Sequence, residues 1–138
     1  MRIEITNNQK IKKINLKDLS RCLEKILTFL KIPLKSVSFS FCDNKEIKRL
    51  NKRYFNKNTA TDVIAFALFD DLNKDYLGEV VVSVEEAVKV GKKLKCRWQQ
   101  ELLLYLVHGV LHLIGFDDRT DKKRKLMEKK QTQIMRLF

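Results

Sequence analysis

The chain has 138 residues, 44% of them hydrophobic, the size of one globular domain with a core of its own. A formal charge of +12 and a pI near 9.7 favour a polyanionic partner, nucleic acid before anionic membrane. The N-terminal MRIEITNN lacks the apolar run of a secretory signal, and the longest apolar stretch, LLLYLVHGVLHLIG, falls short of the roughly twenty residues that span a bilayer.

Taken in order, residues 1 to 6 alternate as a strand, and LKDLSRCLEKILTFLKI repeats apolar residues at helical spacing from Leu16 to Leu30. Pro33 breaks the chain before SVSFSFC, where Val37, Phe39 and Phe41 alternate with serines in a half-buried strand. Asp43 or Asn44 then caps a helix, NKEIKRLNKRYF, expected to turn Ile47, Leu50 and Tyr54 inward and its basic residues outward. TDVIAFAL and LGEVVVSV read as two more strands, a hairpin joined by the acidic, turn-rich FDDLNKDY. Ser83 and Glu86 have the spacing of a capping box at the head of a helix running to about Leu94. From Arg97 to Ile114 a nearly all-apolar helix is expected to form the centre of the fold, stopped by Gly115, with a basic surface helix after Thr120. The pattern predicts an α+β fold: one domain over 1–138, with a mixed four-stranded sheet packed against the central helix.

The central helix holds both histidines of the chain, His108 and His112, one turn apart on one face, a spacing that lets two imidazoles grip one metal ion. Two core histidines satisfied by hydrogen bonds are the plainer alternative. The following GFDD tips the balance, since a glycine at the helix end lets the chain double back and bring a carboxylate to the same face. Asp118 stands at a suitable distance, with Asp117 as its neighbour and substitute, and both also suit a solvated turn. The metalloprotease pattern HExxH is missing its glutamate, because Gly109 follows His108.

These residues resemble the YbeY family of bacterial metal-dependent endoribonucleases, whose signature is HGxLHLxGYDH. Here it reads from His108 to Asp118, with Phe116 for the tyrosine and Asp118 for the third histidine. LNKRYFNKNTATDVIAFAL and LGEVVVSVEEA resemble two further family segments, so the likeness covers about residues 37 to 135. It implies a zinc-type site on His108, His112 and Asp118 and a metal-activated water attacking a phosphodiester. Aspartate is a harder, anionic ligand, so another divalent metal could replace zinc. The family's arginine falls on Phe55; Arg53, two residues earlier, is the candidate catalytic guanidinium in its stead. Glu101, seven residues before His108, is the candidate to orient a ligand or organise Arg53, a surface salt bridge being the alternative. Asn51, Thr61 and Asp62 match the family block, and Thr61 with Asp62 also suits a strand entry whose side chains satisfy turn amides.

Basic runs flank these motifs: Lys45 to Lys57, Lys89 to Arg97 with five basic residues and no acid, and Arg119 to Arg136 with eight against two. They suit RNA phosphates, although charge runs are also ordinary solvated faces. Tyr54, Phe55 and Trp98 could stack a base, but core or core-edge positions are the plainer expectation. Cys22, Cys42 and Cys96, without CxxC spacing, read as small buried or partly buried thiols of a cytoplasmic protein. The resemblance implies a single-strand-specific endoribonuclease in the late 3′-end maturation of small-subunit ribosomal RNA and in ribosome quality control. Ribosomal RNA is then the partner, with small-subunit ribosomal proteins as further candidates. A ribosome assembly factor with a structural metal, and more remotely a metalloprotease-like hydrolase, are the rival readings.

Overall fold

A computed structural model describes residues 2–33, 36–68 and 74–138. Its elements in chain order are β1 (Arg2–Asn7), α1 (Leu16–Phe29), β2 (Ser36–Cys42), α2 (Asn44–Phe55), β3 (Val63–Ala67), β4 (Tyr76–Ser83), α3 (Val84–Leu94), α4 (Trp98–Leu113) and α5 (Asp121–Met135). The strands form one sheet in the order β1-β2-β4-β3. β1 and β2 run parallel, as do β2 and β4, while β3 is antiparallel to β4, so the sheet is mixed. Most of FDDLNKDY, the connection between β3 and β4, lies outside the described residues.

Alternation along the strands separates the two faces of the sheet. Register aligns Ile5, Phe39, Val80 and Ala65 in one row across all four strands. These belong to the main core, which also takes Leu23, Ile26 and Leu27 from α1, Val84 and Ala87 from α3, and most of α4. The opposite face carries Glu4, Ser38, Glu79 and Phe66 in one row. Among the described residues α2 is the helix that covers it, over a small cluster of Cys42, Ile47, Ile64 and Val81.

That limited cover explains the first departure from expectation. Tyr54 is not buried: it meets Phe66 of β3 edge-on over the sparsely covered face and stays 55% exposed. A second concerns α5, whose outer side is basic but which buries Met127 and Ile134 in the main core and so is more than a surface helix. The third is at Ser83. Its hydroxyl accepts from the Glu86 amide at 3.1 Å, as a cap should, but Glu86 does not reach back. The Ser83 amide donates instead to the Asp62 carbonyl at 2.9 Å, and the Glu86 carboxylate accepts from Asn44 Nδ2 at 3.1 Å. Asp43 is the cap of α2, accepting from the Glu46 amide at 2.9 Å.

Gly109 shows why α4 can lie so close to the sheet. A Cβ at that position would stand 2.4 Å from Val80 Cγ1 and 3.2 Å from Val63 Cγ2. What approaches the glycine is therefore a pair of strand side chains, and the missing methyl sets the depth at which the helix seats.

Candidate metal centre

The last two turns of α4 carry His108 and His112, half-buried, with their Nε2 atoms 3.0 Å apart. His108 Nδ1 lies 3.0 Å from Gln131 Oε1 on α5. In the tautomer that gives its Nδ1 proton to this amide oxygen, His108 keeps the Nε2 lone pair for a metal ion. Burial, and next the proximity of His108, hold the His112 pKa below the usual imidazole range, against the opposing pull of Asp118, the Phe116 backbone and Asp117.

Beyond α4 the chain turns at Gly115, whose φ of +101° lies in the left-handed half of backbone space that suits glycine. The turn separates the two aspartates. Asp117 accepts from the Arg119 amide at 3.1 Å and lies 3.4 Å from Lys123 Nζ, and these partners, the amide first, keep its carboxyl below the usual range. Asp118 swings back toward the histidines, so that ligand atoms of His108, His112 and Asp118 all lie within 4.8 Å of one another. Thr120 supplies the cap of α5 through the Lys123 amide at 3.2 Å. Two imidazole nitrogens and a carboxylate oxygen this close together form a donor set suited to a divalent cation. On these residues the fit of a metal ion is good.

His112 and Asp118 open onto a cleft of about 680 Å³. Its wall is formed by Phe55 at the end of α2, the loop through Thr59 and Thr61, and the start of β3; Lys57 and Arg119 supply its cations. The loop is held by Asn51, a buried amide that donates to the Thr59 carbonyl at 3.0 Å, after Asn56 ends α2 in the left-handed conformation with φ of 55°. Asp62 accepts from the Val63 amide at 2.8 Å and from Thr61 Oγ1 at 3.2 Å, the turn-satisfying role open to it from sequence.

Arg53 does not line this cleft. Its guanidinium carbon stands 5.4 Å from the Tyr54 ring centroid. Glu101 is no surface residue either: it is 8% exposed, one carboxylate oxygen is buried without a hydrogen-bond partner, and among the described residues it forms no ion pair. Burial, and next the charge of Asp62, push its pKa above the usual range. Three contributors escaped the sequence reading. Arg119 was visible only as one charge of a basic run, Asn51 only as a residue of a matching block, and Gln131 carried no signal at all. Of the thiols, Cys42 is buried with its pKa pushed up to about 12 by burial, Cys22 is half-buried, and Cys96 is exposed, contrary to expectation.

Comparison with known proteins accounts for nearly the whole chain. A family model described as Endoribonuclease YbeY matches residues 4–138. A curated protein named Endoribonuclease YbeY from Syntrophus aciditrophicus is 33% identical, over all of this chain and 90% of its own length. One of the same name from Geobacter sulfurreducens is also 33% identical, over all of this chain and 96% of its own. Another from Carboxydothermus hydrogenoformans reaches 37% over 72% of this chain and 69% of its own. The solution structure of TM1509 from Thermotoga maritima superposes with a TM-score of 0.69 at 29% identity, covering 96% of this chain and 86% of that one. The family match, the full-length relatives and the shared fold agree: the chain belongs to the YbeY endoribonuclease family.

Proposed function

We propose that this protein is a metal-dependent endoribonuclease acting on ribosomal RNA, with His108, His112 and Asp118 holding one divalent ion, zinc in the first instance. The observation that carries the reading is the convergence of those three ligand atoms within 4.8 Å at the mouth of a cation-edged cleft. It is supported by relatives that bear the name Endoribonuclease YbeY. An ion held there supplies Lewis acidity and makes water acidic enough to serve as a nucleophile near neutral pH.

The chain's own groups do the rest. Gln131 fixes the His108 ring so that Nε2 is the ligating atom. Lys57 and Arg119 attract and seat the RNA phosphates, a role that suits them better than Arg53. Asn51 keeps the cleft wall in place. A protease reading is disfavoured at Gly109: the glutamate of HExxH would have to enter the space that Val80 and Val63 occupy. No helix among the described residues is long and apolar enough to cross a membrane, and the cytoplasm, where ribosomal RNA is processed, is the proposed location.

Metal content and cleavage of a structured ribosomal RNA fragment, measured on wild type, His112→Ala and Asp118→Ala, test the reading. Wild type is expected to retain one ion per chain and to cleave, and both variants to lose the ion and the activity together. Full metal occupancy in Asp118→Ala would remove Asp118 from the ligand set. Tight RNA binding without cleavage across several divalent ions would give the assembly-factor reading the better claim.

A further inference from the structure

The aromatic residues at the end of α2 do not behave as core. Phe55 is 48% exposed and Tyr54 55% exposed. Phe66 of β3 packs against both, nearly parallel to Phe55 with centroids 6.0 Å apart and edge-on to Tyr54 at 5.1 Å. Phe55 thus has one side of its ring backed by another ring, and it also lines the cleft that contains His112 and Asp118. Lys57 and Arg119 line the cleft with it, and Lys52 and Arg53 share its turn of α2. A flat, supported aromatic surface in a cleft that also carries cations matches a ligand that alternates planar rings with phosphates, and an aliphatic or acidic peptide partner would use only half of it.

We infer that Phe55, backed by Phe66 and bordered by Tyr54, is a nucleobase-stacking subsite of the cleft, occupied by an unpaired base of single-stranded RNA whose phosphates lie toward Lys57 and Arg119. The inference rests on the RNA reading of the cleft and adds a position to it. Phe55 offers the cleft a ring, while Lys57 and Arg119 remain to meet phosphate. A base inside a duplex has both faces covered by its neighbours and cannot use such a subsite.

The test is equilibrium binding by the full chain, read by fluorescence anisotropy with chelator present to prevent cleavage. Two short single strands are compared, one an oligoribonucleotide containing 2-aminopurine and the other abasic throughout. Phe55→Ala is expected to weaken binding of the base-containing strand about tenfold, to leave the abasic strand unaffected and to leave the salt slope unchanged. Phe55→Trp is expected to bind at least as tightly as wild type, and 2-aminopurine emission to be quenched by wild type but not by Phe55→Ala. Equal weakening of both strands, absence of quenching by wild type, or absence of RNA binding would each overturn the subsite. Because neither metal content nor cleavage is read, the nuclease reading and the subsite fail separately: a chain without metal can still stack a base, and a nuclease can prove indifferent to Phe55.

Discussion

His108 and Gly109 are neighbours on α4 with opposite surroundings. The imidazole of His108 reaches into a polar, half-buried space, meeting Gln131 on one nitrogen and His112 on the other. Gly109 faces the sheet, where Val80 and Val63 leave no room for a methyl group. One side of the helix is specified by the groups it holds and the other by a group it lacks. Substitutions on the first side should change chemistry with little change of fold, and those on the second should change the fold and carry the chemistry with it.

The largest effect is expected at His112. Its replacement by alanine should abolish metal retention through gel filtration, while the unfolding free energy in chelator stays within about 1 kcal/mol of wild type. A much less stable variant would erase the contrast between the two sides of the helix. Gly109→Val should act the other way, costing about 1–3 kcal/mol by overpacking against Val80, visible as a lower denaturant midpoint before any loss of ligands. Gln131→Leu sharpens the comparison, since it touches neither the ion nor the sheet. Metal affinity should fall about 10- to 100-fold by competition titration, with the fold intact.

The smallest effect is expected at Glu101, in the first turn of the same helix. Its pKa is raised by burial and by Asp62, so the folded state binds its proton more tightly than the unfolded chain does. The charged form therefore weakens the fold at neutral pH, and that penalty disappears as pH falls into the usual carboxylate range. Glu101→Gln should raise the melting temperature near neutral pH, with the gain shrinking toward acid pH. A gain that is independent of pH would show that shape, not charge, is responsible.

Much of this was legible in the chain. The strand and helix order followed from period and punctuation, and the alternation of Val37, Phe39 and Phe41 fixed which side of β2 meets the core. His108, His112 and Asp118 could be grouped because helical spacing and Gly115 act over short distances. What stayed hidden depends on contacts remote in sequence. Tyr54 has helical spacing with Ile47 and Leu50, but no periodicity reveals that the sheet face it meets has too little cover to bury it. Gln131 is one polar residue on a basic helix until Met127 and Ile134 dock that helix against α4. Glu86 satisfied the spacing of a reciprocal cap, yet Asn44 and Asp62 offered it and Ser83 other partners.

Ser83 is wholly buried where three segments meet. Its hydroxyl donates to Asn44 Oδ1 at 2.6 Å and accepts from the head of α3, while its amide holds the residue that leads into β3. A backbone amide exchanges its hydrogen with solvent only when its bond opens, and here one opening would expose the starts of α2 and α3 together with the strand entry behind the cleft. The rear of the cleft is therefore expected to open as one cooperative unit, which matched hydrogen-exchange protection of the Ser83, Glu86 and Glu46 amides would check.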